Sequence, residues 1–442
     1  MCYAIPGEVV EIRGKTLIIR YFGEDKEALS ELEGIQPGDY VYAQGGYVIE
    51  KVDPDFAREM LETWRELFAV LQERDAELAV PPPAAIPRDG LQWIFDRALA
   101  GQPLSRDELR TLLSLEDPAQ LDRLYRTANA VRHHHHRNSC CVHGILEISS
   151  YCARDCLYCG IAAGAPQPRR YRMSKAEILE AAKEAIEGFG FKSLVLQSGE
   201  DPAYSVADLA DIIAEIKRRH GVMICVSFGE VGLDGLDKLY DAGARALLMR
   251  FETSNPELYA KLHPGCTLES RLAHLRHALK RGYLIITGAL VGLPGQTVDD
   301  LVNDIELAGE LQSEMFSFGP VLASARSPEI VPVSETAMMR TLAAARCAAP
   351  AQSKVLVTTA FETLSANARE QGLMAGASSV MLNVTPLRYR PDYALYEHRA
   401  HATESIADQT RAIISLLDKL GRAPSDLGVA TPSITKLDGL EK

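Results

Sequence analysis

Three cysteines stand close together in the middle of the chain, at positions Cys152, Cys156 and Cys159. Thiolates at this spacing bind iron–sulfur clusters strongly. Three ligands on one short loop can hold three irons and leave the fourth open to a substrate, whereas a closed structural zinc site requires four ligands. The spacing therefore predicts a 4Fe–4S cluster with one vacant corner.

The loop follows an apolar run at residues 145–150, which we interpret as a β-strand. In barrels of alternating strands and helices, catalytic residues lie on the loops at the carboxyl ends of the strands. The alternative is a chance cluster, or a three-cysteine zinc site that borrows Cys140, Cys141 or His143.

Further candidate ligand-binding residues stand at the ends of later predicted strands. Glycine permits close approach to the backbone, and a planar guanidinium can grip a carboxylate. Ordinary turns, an ion pair and a solvated helix arginine are the structural alternatives. The candidates are Gly199 and Glu200 after the second strand, Ser227 after the third, Arg250 and Glu252 after the fourth, Arg271 on the next helix, and Gly292 after the fifth.

Eight apolar runs alternate with helical patterns over the second two thirds of the chain. Runs that are apolar throughout indicate strands buried on both faces, as in a parallel sheet. The pattern predicts an α/β fold with a (β/α)8 barrel of the TIM type, and an open parallel sheet with fewer strands is the alternative. The runs are residues 145–150, 193–198, 222–228, 245–251, 284–291, 315–321, 354–360 and 379–384.

The first 52 residues are rich in β-branched and aromatic residues and predict a small β-barrel. A helix at about 54–77 follows, with Phe56, Met60, Trp64 and Phe68 expected to form one buried stripe. Residues 80–87 are proline-rich and predict an extended linker. We accordingly divide the chain into a small β-barrel with its helix (1–77), a linker (78–88) and the large barrel (89–442).

The large barrel is expected to begin with a helical extension, at about 91–99, 105–114 and 118–132. Four consecutive histidines at 133–136 are interpreted as a polar connector with incidental metal affinity.

Composition narrows the class of protein. Net charge is −13, with 47% hydrophobic and 24% charged residues, which is typical of a soluble globular protein and argues against a nucleic-acid partner. The first residues lack the pattern of a signal peptide, and no apolar run is long enough to span a membrane. We therefore expect a cytoplasmic protein, in which the nine cysteines are ligands or core rather than disulfides.

The cysteine spacing, with the aromatic Tyr158 before the third cysteine, resembles the signature of the radical S-adenosylmethionine (SAM) superfamily. The resemblance implies that the open iron binds the methionine part of SAM. It also implies that an external electron donor reduces the cluster, which cleaves SAM to a 5′-deoxyadenosyl radical. Glu200 would then receive the ammonium, and the other candidates named above would bind the remaining parts of SAM.

Longer phrases, among them CLYCGI, LQSGED, RFETSNPELYAKLHPG and LVGLPGQT, resemble the HydE-type maturases of iron–iron hydrogenases over roughly residues 90–390. That resemblance implies that Thr358 and Thr359 line an anion-binding cavity near Arg250. Some relatives carry a second cluster, but the later cysteines here are isolated, so we expect a single one. Cys225 is expected to be core.

The N-terminal segment resembles a second family, the HypC-type hydrogenase maturation chaperones. It shares their opening Met-Cys-x-x-Ile-Pro-Gly and a later Gly-Asp-Tyr-Val. In that family the second residue carries an iron unit, often together with a histidine. Cys2 is therefore a candidate iron carrier, but Gln44 stands where the histidine is expected. A docking role for the segment is the alternative.

Together these patterns lead to one functional hypothesis and two rivals. The hypothesis is a radical SAM enzyme that acts in the maturation of a hydrogenase or related metalloenzyme cofactor, on an iron-containing, thiol or amino-acid substrate, with maturation proteins as partners. The rivals are a radical carbon-skeleton enzyme like biotin synthase or methylornithine synthase, and a non-catalytic iron–sulfur scaffold.

Overall fold

The computed structural model of the chain describes residues 5–84, 89–166 and 169–425. Cys2 and the end of the predicted linker lie outside these residues. The fold is α/β, with a five-stranded closed barrel followed by an eight-stranded one, and this confirms the predicted fold class.

The small barrel closes in the strand order β1-β2-β3-β5-β4 around a core that includes Ile5, Val9, Ile19 and Val41. Neighbouring strands are antiparallel, except for the short β3–β5 contact that completes the ring. Its strands are β1 (Gly7–Arg13), β2 (Thr16–Tyr21), β3 (Glu24–Leu29), β4 (Tyr40–Gln44) and β5 (Tyr47–Val52).

Helix α1 (Pro54–Leu78) begins at Asp53, whose carboxylate accepts two backbone N–H groups of the first turn. The predicted stripe is wrong at Phe56, which is 50% exposed, whereas Ala57, Phe68 and Leu71 are buried. Residues four apart advance by about 40° around a helix of 3.6 residues per turn. A series of four residues at this spacing therefore turns gradually away from the buried face of the helix.

Asp75 of helix α1 is fully buried and joins three parts of the chain. It receives two hydrogen bonds from Arg132 and one from Arg422, at 2.6 to 2.8 Å, and His133 contacts it at 2.7 Å. Burial raises the pKa of Asp75, but the hydrogen bond with His133 and the charges of Arg132 and Arg422 outweigh burial and hold it well below its ordinary value. The helix is thus bound to the large barrel by a buried ionic cluster.

The large barrel is built from eight parallel strands with helices outside, in the closed order β10-β12-β14-β15-β6-β7-β8-β9. One buried residue from each strand, among them Ile145, Cys225 and Met381, forms a layer inside it, so Cys225 is core as predicted. The elements in chain order are α2 (Gly90–Leu99), α3 (Arg106–Leu113), α4 (Pro118–His136), β6 (Cys141–Ser149), α5 (Lys175–Lys183), β7 (Ser193–Ser198), α6 (Val206–Arg219), β8 (Met223–Ser227), α7 (Leu233–Asp241), β9 (Ala244–Leu248), α8 (Pro256–Leu262), α9 (Leu268–Arg281), β10 (Leu284–Thr287), β11 (Leu290–Val291), α10 (Val298–Glu310), β12 (Met315–Phe316), β13 (Gly319–Pro320), α11 (Glu335–Ala348), β14 (Lys354–Val357), α12 (Thr359–Leu364), α13 (Ala368–Met374), β15 (Ser379–Asn383) and α14 (Ile406–Lys419).

Two predicted runs are interrupted rather than continuous. The runs at 284–291 and 315–321 each divide, and their second parts, β11 and β13, pair as a separate two-stranded sheet. A side chain at Gly288 would collide with the backbone of Ser317, so the two strands approach each other closely where they leave the barrel. The run at 354–360 ends early because Thr358 caps helix α12.

The histidine run was wrongly interpreted as a connector, because it forms the last turn of α4. His136 is buried and its Nε2 contacts the carbonyl of Ser353 at 3.0 Å. Helix α4 continues through these residues because it has a buried apolar face. None of the described helices is both long and apolar enough to cross a membrane.

The small barrel closes the amino-terminal end of the large one. The tip of the β4–β5 hairpin is Gly45-Gly46, both with positive φ, as a tight two-residue turn requires. A Cβ at Gly45 would lie 2.8 Å from Leu284 Cδ1. At the rim of the junction, Tyr47 donates to the carbonyl of Gly282 at 3.0 Å. The small barrel therefore lies at the end opposite to the carboxyl mouth of the strands.

Candidate active site

The cysteine loop (residues 151–160) leaves strand β6 at the carboxyl mouth of the large barrel, and its three cysteines are half-buried. Several elements fix its backbone. The N–H of Leu157 donates to the carbonyl of Leu262 at 2.9 Å, and the N–H of Gly160 to that of Leu395 at 2.6 Å. Arg326 binds Asp155 at 2.7 Å. The loop is thus held in place by side chains and backbone from distant parts of the chain.

Arg170 closes the two ends of the loop with its guanidinium. It donates to the carbonyls of Ser150, Ile161 and Ala162 at 2.6 to 2.9 Å. An arginine presents five donors in a fixed fork, so one side chain can satisfy carbonyls on both sides of a tight loop.

The three thiols lie close enough to influence one another's pKa. Burial raises the pKa of Cys156, and the negative charges of Cys159 and Cys152 raise it further. Burial likewise raises the pKa of Cys159 to about 12. Each thiol therefore holds its proton until a metal displaces it. Among the described residues, no group of three or more Cys, His, Asp or Glu side chains is arranged to hold a single metal ion.

Gly199, predicted from the sequence, packs directly against the loop. A Cβ there would lie 2.7 Å from the Cβ of Cys152 and would collide with the carbonyl of Tyr151. The neighbouring carbonyl of Glu200 accepts the N–H of Ala153 at 2.8 Å. The end of strand β7 thus supports the first cysteine.

The carboxylate of Glu200 is held on both sides. Its Oε2 lies 2.5 Å from Nε of Arg154, and its Oε1 accepts the N–H of Glu230 at 3.1 Å. Gly229 has a φ of +72°, and a Cβ there would collide with Glu200. The carboxylate therefore stands beside the cysteine loop in a defined orientation.

Tyr158, a residue of the cysteine loop, faces the end of helix α8. Its hydroxyl contacts Nε2 of His263 at 2.9 Å, and the two rings meet edge to face at 5.4 Å. Burial raises the pKa of Tyr158, and the charge of Glu252 adds to this. The tyrosine is therefore neutral and acts through its hydrogen bond and its ring.

Arg271 is not a solvated helix residue, because its side chain is 12% exposed and points into the site. Its Nε lies 3.1 Å from Glu230 Oε1 and donates to the hydroxyl of Tyr259 at 3.2 Å. Burial lowers the pKa of Arg271, but Tyr259 and Glu230 outweigh burial and raise it. The guanidinium is thus a fixed positive charge near Cys156. It partly offsets the increase that burial causes in the pKa of Cys156.

Arg250 and Glu252 form an ion pair of 3.0 Å at the end of strand β9. Glu252 has a φ of +67°, which is uncommon for a residue with a side chain and typical of functional sites. Across the barrel, a Cβ on Gly319 would lie 2.8 Å from Thr358 Oγ1 and 3.4 Å from Arg250 Nη1. The structure thus brings Arg250 and Thr358 close to the same glycine.

The remaining predicted residues also lie at the carboxyl mouth. Ser227 ends strand β8, and Thr359 begins helix α12 behind Thr358. Gly292 has a φ of +89°, and its N–H donates to Oε1 of Gln296 at 2.7 Å. That side-chain bond fixes the backbone on which a planar ligand group was expected to lie.

Sequence reasoning missed a group that closes this mouth. Residues 386–405 form a cover segment, and its Arg399 binds Glu147, a fully buried carboxylate on strand β6. Glu147 also accepts a hydrogen bond from Asn383 at 3.0 Å. Tyr393 of the cover segment accepts one from Gln197 at 3.1 Å. The sequence signal that could have revealed this contact is Glu147, a glutamate inside an otherwise apolar strand.

The alternative zinc site is incompatible with the geometry. Cys141 and His143 lie at the amino-terminal end of strand β6, and the cysteine loop follows its carboxyl end. A nine-residue strand is about 26 Å long at roughly 3.3 Å per residue. Neither residue can share an ion with the three loop cysteines.

Comparisons with known proteins add family relationships. The profile of the Radical SAM superfamily matches residues 146–308, and that of the HupF/HypC family matches residues 1–64. The chain is 35% identical over 328 residues to the FeFe hydrogenase maturase subunit HydE of Thermotoga maritima, across 74% of this chain and 93% of that protein. It is 32% identical to 3-methylornithine synthase of Methanosarcina acetivorans, across 49% of this chain and 62% of that protein.

Two solved structures share the architecture. Methylornithine synthase PylB superposes with a TM-score of 0.65 at 25% identity, over 78% of this chain and 100% of that one. The maturase HydG from Carboxydothermus hydrogenoformans superposes with a TM-score of 0.64 at 20% identity, over 79% of this chain and 83% of that one. The second likeness concerns the fold alone.

Proposed function

Because the chain belongs to the radical SAM superfamily, in its HydE-like branch and with a HupF/HypC domain at its N-terminus, we propose that Cys152, Cys156 and Cys159 hold its 4Fe–4S cluster. Membership makes the protein a radical SAM enzyme with that cluster and SAM as cofactors. The observation that carries the ligand assignment is the fixed cysteine loop, whose three thiols influence one another's pKa at the carboxyl mouth of the barrel.

When bound, the cluster supplies the electron that cleaves SAM into methionine and a 5′-deoxyadenosyl radical. The chain's own part is binding and exclusion of water. Glu200, fixed beside Cys152 by Arg154, is placed to accept the ammonium of SAM. Arg271 is a fixed cation for the carboxylate. The cover segment, anchored by Arg399 on Glu147, keeps water from the radical.

The other SAM contacts are assigned by position. Gly292 is assigned to the adenine as part of a backbone segment fixed by Gln296, and Tyr158 to the border of the cluster. Ser227 and the Arg250–Glu252 pair lie at the ends of strands β8 and β9, which stand in the barrel between the strands leading to Tyr158 and Gly292. In each case the support is a location at the carboxyl mouth, where such barrels bind their ligands.

We propose that the substrate carries an anionic group and serves the maturation of a hydrogenase or related metalloenzyme cofactor. The support is the placement of Arg250 and Thr358 beside Gly319, with Thr359 next to them, which puts a cation and a hydroxyl close to the same glycine. An iron-containing complex, a thiol or an amino acid meets this requirement. The HydE and HupF/HypC relationships favour hydrogenase maturation proteins as partners and the cytoplasm as the location.

For the N-terminal unit we propose a role in delivery or docking, with Cys2 as the candidate carrier. Gln44, which replaces the expected histidine, is buried and donates to the thiol of Cys141 at 3.4 Å. This residue therefore contributes to the junction between the two barrels. Replacing Cys2 by alanine should leave SAM cleavage intact and impair maturation of a client enzyme.

A second candidate function is carbon-skeleton rearrangement of an amino acid. Its support is the extent of the likeness to methylornithine synthase, whose whole solved chain is covered. Turnover with deuterated amino acids should then transfer deuterium to 5′-deoxyadenosine, whereas deuterated iron–cysteine complexes should not.

The decisive experiment is SAM cleavage by the anaerobically reconstituted protein with dithionite. We expect 5′-deoxyadenosine from the wild type and from Cys225→Ala, which alters a buried core thiol. Cys156→Ala should lose both the cluster absorption and the product. A normal cluster in Cys156→Ala would refute the ligand assignment, and a loaded wild type that cleaves no SAM would favour the scaffold.

A further inference from the structure

A buried cysteine and a buried histidine meet at the amino-terminal end of the large barrel, far from the cysteine loop. Cys141 and His143 are 1% and 3% exposed. They are two residues apart on strand β6, so they face the same side as Ile145, which belongs to the interior layer. Sγ of Cys141 lies 3.0 Å from Nε2 of His143.

The histidine ring is oriented by its other nitrogen. Nδ1 of His143 lies 2.7 Å from the hydroxyl oxygen of Ser193, on the neighbouring strand β7. When Nδ1–H donates to that oxygen, Nε2 presents its lone pair towards Cys141. Metal-binding histidines are oriented in this way by a second polar group on the ring.

The pair lies where the small barrel closes the large one. Gln44, at the base of the hairpin tip, donates its Nε2 to Sγ of Cys141 at 3.4 Å. Gly45 beside it contacts Leu284 and Met223 at the beginning of their strands. Access to the pair from the amino-terminal end therefore runs through the junction of the two units, about 26 Å along strand β6 from the cysteine loop.

We propose that Cys141 and His143 form a binding site for a thiophilic divalent transition-metal ion at this junction. A thiolate with an imidazole suits zinc, iron, nickel and copper. The pair supplies two ligands of the ion, and groups that arrive with the ion supply the others. The sulfur and nitrogen of a tetrahedral zinc site are about 3.5 Å apart, so the pair opens slightly on loading.

Zinc is the appropriate probe, because absorption at the zinc K-edge is not affected by the iron of the cluster. Cluster-loaded full-length protein is dialysed against Zn²⁺, and the bound zinc is counted and examined by X-ray absorption. The wild type should bind one equivalent with sulfur and imidazole ligation. Cys141→Ser should lose the sulfur signal and His143→Gln the imidazole signal, each with at least a tenfold weaker affinity for this equivalent.

The matched control is Cys225→Ser, which removes another buried thiol of the barrel interior and should bind zinc like the wild type. Identical zinc binding in Cys141→Ser and the wild type would overturn the proposal and leave the contact as an S–H to nitrogen hydrogen bond. Thermal unfolding verifies that each variant is folded. SAM cleavage measured on the same samples keeps this outcome separate from the proposed function, since cleavage does not require the pair.

Discussion

Gly199 and Cys152 are so close that a Cβ on the glycine would lie 2.7 Å from the Cβ of the cysteine. The contact joins the end of strand β7 to the first cysteine of the loop. It explains why a glycine is required at this point, since every other residue would push the loop away from its position.

Gly199→Ala should therefore reduce the cluster content of the protein more than its stability. Overpacking of this kind costs about 1–3 kcal/mol, and the loop is the part that can yield. Iron content and visible absorption after reconstitution should fall several-fold, while thermal unfolding shifts little. Gly309→Ala is the control, because a Cβ at this helical position meets nothing within 4 Å; it should retain a full cluster. Equal loading of the two variants would contradict the prediction.

Glu200→Gln should weaken SAM binding without loss of the cluster. The substitution removes the negative charge that Arg154 holds in place, and a hydrogen bond to a charged group contributes about 1.5–3 kcal/mol. We expect the Kd for SAM to rise roughly tenfold to a hundredfold, measured by equilibrium dialysis. Glu215→Gln, on the surface of helix α6, should leave the Kd unchanged. An unaltered Kd for Glu200→Gln would refute its role.

Asp304 should make the stability of the protein fall as pH rises towards neutrality. Burial raises its pKa to about 7, although the N–H of Ser254 donates to it at 2.6 Å. The folded state thus retains a proton that the unfolded chain loses near the ordinary aspartate pKa of 3.8. Its contribution is complete below that value and is lost as pH rises through about 7, by at most roughly 4 kcal/mol.

Asp304→Asn mimics the protonated carboxyl and should remove this dependence. Urea unfolding at several values between pH 5 and 8 should show a steeper loss for the wild type than for the variant. Asp208→Asn is the control, because hydrogen bonds from Ser205 lower the pKa of Asp208 and its effect falls in the acid range. Parallel curves for the wild type and Asp304→Asn would disprove the assignment.

Gly45→Ala should loosen the junction between the two barrels. The residue has a φ of +56°, and its new Cβ would lie 2.8 Å from Leu284 Cδ1. Gly14→Ala is a matched control, with a φ of +63° and nothing within 4 Å. Both variants incur about 1–2 kcal/mol of backbone strain, but only Gly45→Ala should also accelerate proteolytic separation of the units. Equal proteolysis rates would show that the hairpin tip does not hold the junction.

The sequence was sufficient to predict those features that depend on local pattern. Each of the eight barrel strands is an apolar run because both of its faces are buried, and the cysteine loop follows the first of them. The division of the run at 284–291 could not be predicted, because it depends on the close approach of Gly288 to Ser317 on another strand.

Contacts between distant positions were equally inaccessible. Arg399 and Glu147 are 252 residues apart, and an arginine in a polar loop gives no sign of its partner. Gln44 stands where the chaperone family carries a histidine, and nothing in its own segment indicates that it contacts Cys141 of the other barrel. Such pairs depend on how whole units dock, which a residue pattern does not encode in any single segment.

The burial of Asp75 among Arg132, His133 and Arg422 restricts how the N-terminal unit can move. Breaking a buried ion pair by removing one partner costs about 3–5 kcal/mol, and undocking helix α1 would separate this carboxylate from both arginines and from His133. Helix α1 therefore holds the N-terminal unit against the large barrel. We expect the delivery or docking role proposed for this unit to operate without undocking of the helix, so that partner proteins bind to the assembled enzyme.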